Sequence, residues 1–211
     1  MSEPPVPRLY FAYGSNLSPT QMALRCPSSE PIGLAHLPGY NFIINDRHYA
    51  NIVPSPGPAD PTDPGVYGVV YTLPPEDEAA LDRCEGVPHA YQKQTLAVDL
   101  SAVADFESAP EPAAPHASES AADPTTAAAA PPLPKEKKTV NALIYIDGAR
   151  QTPSTPYPEY IDRMNRGVQE ASSRFGLPAS YVDEVIRKWI PASNAPIVDA
   201  GAIEDPFLSN A

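Results

Sequence analysis

Long hydrophobic runs are missing from this sequence, and positive charge is scarce. Against 26 Asp and Glu stand 14 Lys and Arg, for a formal net charge of -12, and only the small Lys135–Lys138 cluster concentrates basic residues. Such a balance repels phosphate backbones, so nucleic acid is not an expected partner. No stretch approaches the ~18 consecutive apolar residues of a membrane-spanning helix, and none is expected. Met1 to Arg8 carries three prolines and an acid where a secretory signal would place basic and then apolar residues, so no signal peptide is expected either. Cysteine is nearly absent. Cys26 and Cys84 make no disulfide framework, and a reduced, cytoplasmic protein is the simpler expectation. His36, His48, His89 and His116 lack metal-ligand spacing, so neither metal nor cofactor is expected. Ser15 has no sequence cue for a His–acid partnership, and Cys84 has no evident activating partner.

Proline is in excess: 29 residues. Much of the surplus falls between Ala102 and Pro134, where more than half the residues are Ala or Pro. Apart from Val103, Phe106 and Leu133, large apolar side chains are absent there. Such a segment does not repay its ordering entropy, and we read about 102–138 as a disordered insertion between two strands. The flanking sequence reads as one α+β domain over residues 1–190, a curved sheet or small barrel flanked by helices, followed by a loose tail over 191–211. Strands are expected at Leu9–Tyr13, Ile32–Leu37, Tyr40–Ile44, Ala50–Pro54, Val66–Leu73, Gln92–Leu100 and Val140–Ile146. Ser18-Pro19-Thr20-Gln21 has the pattern of a capping box opening a short helix. Pro74-Pro75-Glu76-Asp77-Glu78 opens a second, which runs to about Cys84. In Pro158–Phe175 the apolar residues Ile161, Met164, Val168, Ala171 and Phe175 form one helical stripe. Ser180 is positioned to cap a last helix that faces Val182, Val185, Ile186 and Trp189 inward.

Three features point to chemistry. The tight loop Gly14–Leu17 leaves a strand and enters a helix, so its N–H groups suit a carboxylate or phosphate; the spacing is not that of a nucleotide-binding glycine loop. Glu85 sits at the negative end of a helix, where a carboxylate is disfavoured and burial raises its pKa further. Gly86 behind it can supply a left-handed cap. Tyr91, Tyr157 and Tyr160 can orient a polar ligand, although the chain has 11 tyrosines.

These residues fall in segments that resemble the gamma-glutamylcyclotransferase-like family. The resemblance is carried by Tyr13-Gly14-Ser15-Asn16-Leu17, Gly39-Tyr40, Ile52–Gly57, Val66–Tyr71 and Leu81-Asp82-Arg83-Cys84-Glu85-Gly86-Val87. It continues at Tyr91, Pro153-Ser154, Tyr160 with Gly167, and Gly176-Leu177-Pro178. It implies a small β-barrel flanked by helices, with Glu85 as the catalytic acid and base. It also implies substrate binding by Tyr13, Gly14, Ser15, Asn16 and Leu17, with Tyr91 and Tyr160 near the cavity. The implied reaction closes the substrate's own α-amine onto its γ-carbonyl, giving 5-oxoproline and a free amino acid, with no cofactor and no protein nucleophile. A small γ-glutamyl compound is then the partner, and a homodimer is compatible with it. Two alternatives remain at this stage. One is a γ-glutamylamine or secondary-metabolite enzyme of the same fold; the other is a non-catalytic module that binds γ-glutamyl compounds or glutathione.

Overall fold

Val66–Leu73, in which five of eight residues are Val or Tyr and six positions are buried, is built to lie inside a sheet, and it forms the strand on which two others pair. The structure, a computed structural model, describes residues 7–57, 63–102, 137–193 and 205–207. In chain order the elements are β1 (Arg8–Ala12), α1 (Pro19–Arg25), β2 (Pro31–Leu37), β3 (Tyr40–Ile44), β4 (Ala50–Pro54) and β5 (Val66–Leu73). There follow α2 (Pro75–Cys84), β6 (Gln92–Ala102), β7 (Lys137–Ile146), α3 (Pro158–Phe175) and α4 (Ala179–Glu184).

Five strands close a barrel in the order β1-β5-β2-β6-β7. The pairs are antiparallel except the closing one, where β7 meets β1 in parallel at Tyr10 and Leu143. Closure leaves no open edge along this sheet. Phe11, Val69, Val70, Tyr71, Val98 and Ile144 fill the core at 0% exposure. β3 and β4 form a separate antiparallel hairpin. Asn51 and Asn45 tie that hairpin to the chain beyond β7: the Asn51 side chain donates to the Asp147 carbonyl at 2.9 Å and accepts from its N–H at 3.0 Å. The α+β barrel flanked by helices is therefore as expected, and among the described residues no helix is long and apolar enough to cross a membrane.

Three expectations are corrected. Ala102 ends β6 and Lys137 and Lys138 begin β7, with Ser101 opposite Lys137. The edges of the expected insertion at 102–138 are thus strand, because a long antiparallel ladder continues to gain hydrogen bonds past the last large apolar residue; 103–136 lie outside the described residues. Ser180 does not cap α4, whose N-cap is Pro178, and α4 stops at Glu184 before a 3₁₀ turn at Ile186–Lys188. The capping box at α1 is half formed. Ser18 Oγ accepts from the Gln21 N–H at 3.1 Å, but the Gln21 side chain turns away to Ser15 Oγ and Asn16 Oδ1. Glu170 of α3 takes its place, accepting from Ser18 Oγ at 2.9 Å and the Thr20 N–H at 3.0 Å, a carboxylate at the positive end of α1.

Candidate active site

The loop after β1 is a 3₁₀ turn, Ser15–Leu17, pressed against α3. A Cβ at Gly167 would lie 3.0 Å from Leu17 Cβ and 3.3 Å from the Ser18 nitrogen, so a glycine there lets the helix approach the turn. With about three residues per turn, successive side chains diverge by about 120°. Ser15 and Asn16 line a cavity while Leu17 is buried in the core, so Leu17 is not brought to the site as expected. Its N–H is also spent, on the Gly14 carbonyl at 2.9 Å.

Glu85 reaches the same cavity from the end of α2. The helix stops in a Schellman arrangement: the Val87 N–H bonds the Asp82 carbonyl at 3.0 Å, and the Gly86 N–H bonds the Arg83 carbonyl at 3.2 Å. Gly86 takes φ 63° to allow it. The Glu85 side chain is only 16% exposed. Its Oε1 accepts from Asn16 Nδ2 at 3.3 Å and lies 3.7 Å from Arg25 Nη1. Burial lifts its pKa above the ordinary glutamate value, and the guanidiniums of Arg25, Arg163 and Arg47 pull only part of the way back. Asn16 is itself fixed from every side. Its Nδ2 also donates to Tyr10 Oη, its Oδ1 accepts from Gln21 Nε2 at 2.7 Å and Arg25 Nη1 at 3.3 Å, and its carbonyl accepts from Tyr71 Oη.

The structure brings Tyr13, Gly14, Ser15, Asn16, Glu85, Tyr91 and Tyr160 to one cavity. The tyrosines are held differently. Tyr13 Oη donates to the Tyr145 carbonyl at 2.6 Å and Tyr91 Oη to the Ala50 carbonyl at 2.8 Å, so both protons are committed. Tyr160 Oη instead accepts from the Ala50 N–H at 3.2 Å, which leaves its own proton for the cavity. Burial pushes Tyr160 up to about 12, opposed by Arg163, so it is a phenol at neutral pH. Tyr157 is the N-cap of α3 and is exposed, outside the cavity. Cys84 lines the cavity, but burial raises its pKa, with Arg25 opposing, so it is no ready thiolate.

Sequence reasoning missed three arginines and a carboxylate. Arg25 and Arg163 are 3% and 2% exposed in their side chains. Arg25 sits in the last turn of α1 and Arg163 one turn after Tyr160, on the buried face of α3. Arg47 hangs from the β3–β4 turn, where His48 holds φ 70° in the left-handed region, a strained conformation of the kind found at functional sites. Its guanidinium lies over the Tyr91 ring at 5.2 Å, and its Nη1 is buried with no hydrogen-bond partner among the described residues. Residues 205–207, expected to be loose tail, reach the site: Phe207 lines the cavity and packs on Tyr49, and Asp205 forms a fork-to-fork pair with Arg25. Counting arginines on the apolar faces of α1 and α3 was the one signal available for Arg25 and Arg163, since a charge in an apolar stripe must find a buried partner.

The chain is similar in fold to several solved structures. An uncharacterized protein from Homo sapiens superposes with a TM-score of 0.59 at 22% identity, covering 98% of this chain and 98% of that one. A protein described as gamma-glutamyl cyclotransferase gives 0.58 at 20% identity, over 97% and 99% of the two chains. YkqA from Bacillus subtilis gives 0.57 at 16% identity, covering 89% of this chain and 56% of its own. No curated protein sequence matches significantly. Residues 10–113 match the sequence profile of the family described as gamma-glutamyl cyclotransferase, AIG2-like. That stretch holds most of β1, the loop, α1 with Arg25, the β3–β4 hairpin, Glu85 and Tyr91, and over it the chain is similar to the AIG2-like gamma-glutamyl cyclotransferase family.

Proposed function

We propose that the protein is a gamma-glutamylcyclotransferase that converts an L-γ-glutamyl amino acid into 5-oxo-L-proline and the free amino acid. The observation that carries this reading is Glu85, a buried carboxyl with a raised pKa beside the Gly14–Asn16 loop in a cavity rich in hydrogen-bond donors. Glu85 takes a proton from the substrate's α-ammonium. The freed amine attacks the γ-carbonyl and a C–N bond forms, closing the five-membered ring. The amide C–N bond then breaks as Glu85 returns the proton to the leaving nitrogen, and the ring nitrogen gives up its second proton to the released amine, which leaves as an ammonium. One carboxyl whose pKa is raised by burial suits both steps. Attack within one molecule needs positioning more than activation, and positioning is worth several kcal/mol. The loop and the Tyr160 phenol supply donors for the oxygen that gains charge at the γ-carbonyl. Tyr13 and Tyr91, bonded to backbone carbonyls, serve as rigid walls for the glutamyl chain.

Arg47 favours an amino acid over a simple amine as the leaving group. A buried guanidinium nitrogen without a partner among the described residues calls for an anion, and the leaving amino acid's carboxylate supplies one. Residues 1–190 act as one domain in this reading, with the catalytic elements split on either side of residues 103–136. The test compares γ-glutamyl-alanine with γ-glutamyl-ethylamide, following 5-oxoproline by mass spectrometry, in wild type and R47Q. Preference for the alanine conjugate that shrinks in R47Q supports the reading. Equal turnover of both by wild type points to an amine-type substrate, and binding without turnover of either points to a non-catalytic module.

A further inference from the structure

Arg25 and Arg163 are buried on the cavity wall, and their partner comes from far along the chain. Asp205 meets Arg25 through two bonds, Nε to Oδ2 at 2.7 Å and Nη2 to Oδ1 at 2.9 Å, and its Oδ1 lies 3.9 Å from Arg163 Nη1. This is the planar, two-bond geometry by which guanidinium recognises any carboxylate. The Asp205 side chain is 5% exposed. Phe207 closes the arrangement from outside, its ring 5.6 Å from that of Tyr49 and under the guanidiniums of Arg25 and Arg163 at 5.6 and 5.7 Å.

Two observations show that this acid occupies ligand space. With residues 205–207 docked, the remaining cavity is about 50 Å³, room for a few water molecules, whereas small-molecule pockets run to roughly 300–1,000 Å³. The third nitrogen of the Arg25 fork, Nη1, lies 3.7 Å from Glu85 Oε1. A ligand carboxylate on Arg25 would therefore set its own α-amine, one carbon away, beside Glu85.

We propose that Arg25 and Arg163 form the subsite for the α-carboxylate of the γ-glutamyl group, and that Asp205 fills it in the resting protein, so that residues 205–207 compete with substrate. The identity of the ligand rests on the function proposed above; the competition for a carboxylate does not. A competitor docked about nine-tenths of the time weakens ligand binding about tenfold, because only the undocked fraction binds.

The probe is glutarate, which has the five-carbon skeleton and the α-carboxylate of the glutamyl group, a second carboxylate in place of the γ-amide, and no amine, so it cannot react. Titration calorimetry on the full chain compares wild type, D205N, F207A and R25Q. Removing the Asp205 charge, or the ring that covers it, is expected to tighten glutarate binding about tenfold, and R25Q to abolish it. F207A carries the test should D205N fail to fold. Glutarate bound as weakly or more weakly by a folded D205N or F207A would overturn the proposal and make residues 205–207 a fixed wall of the site. Turnover of γ-glutamyl-alanine is measured separately, with a lowered KM expected in D205N. Absence of turnover in every variant would refute the cyclotransferase reading alone, while the glutarate result would still decide the competition.

Discussion

Replacing Tyr160 by Phe removes one oxygen that works in two directions. In the fold it accepts from the Ala50 N–H, and Ala50 is 3% exposed, so the variant leaves a buried donor unpaired. That costs about 1–3 kcal/mol. In a chain of 211 residues each kcal/mol moves the melting temperature by about 2–4 °C, so Y160F should melt roughly 2–12 °C below wild type. In the proposed reaction the same oxygen offers its proton to the γ-carbonyl oxygen. Loss of one such donor typically costs ~10²–10³ in kcat. Both effects are measurable on one preparation, by differential scanning calorimetry and by the rate of 5-oxoproline formation at saturating γ-glutamyl-alanine and a temperature well below melting. The ring remains and still stacks edge-on to Tyr49, whose centroid is 5.0 Å away, so substrate shape recognition and KM should change little. A lowered melting temperature with kcat unchanged would refute the donor role and leave Tyr160 as a purely structural residue.

The Glu85 pKa gives a signed expectation for stability. Burial raises it above its unfolded value, so the fold prefers the protonated form; that preference is fully present below the unfolded pKa and is lost as pH rises through the raised one. E85Q mimics the neutral state and should therefore gain melting temperature over wild type at pH 8, with the gap closing as pH falls toward 4; a gap that widens on acidification contradicts the assignment. The wild-type kcat/KM should fall on the acid side with an apparent pKa above that of an ordinary glutamate, measured across pH 4–8. G86A forces a side chain into φ 63°, with its Cβ 3.0 Å from Ala90 Cβ. It should cost about 1–2 kcal/mol by thermal melting and lower kcat as well, since the same turn aims Glu85; an unchanged kcat would show that the aim of the carboxyl does not depend on this cap. Cys26, buried and pushed up to about 12 chiefly by that burial, should resist iodoacetamide at pH 7.5 in the folded protein and react on denaturation, as mass spectrometry would record.

Local chemistry made much of the fold legible. Tyr40–Ile44, Ala50–Pro54, Val66–Leu73 and Pro158–Phe175 coincide with observed elements because each is bounded by turn formers or proline and carries one clear periodicity. Glu85 could be singled out because it breaks a local rule, an acid at a helix's negative end, and the Gly14–Leu17 loop because a turn from strand into helix presents its N–H groups together. Leu17 was misplaced because the pitch of a 3₁₀ turn, not the run of letters, decides which side chains share a face. Ser180 lost to Pro178 as N-cap because proline's fixed φ and missing N–H suit the residue that opens a helix. The arginines and Asp205 were the least legible. Their pairing spans 180 residues of sequence in the case of Arg25 and Asp205, and no pattern within either segment announces the other.

The most direct test of the central claim is 5-oxoproline formation from γ-glutamyl-alanine by wild type and by E85Q, with circular dichroism confirming that both are folded. Gln keeps the shape and the contact with Asn16 but cannot carry a proton between nitrogens. Formation by wild type and a loss of about 10²–10⁴ in kcat for E85Q is the predicted result. Equal rates from the two proteins would contradict the role assigned to Glu85.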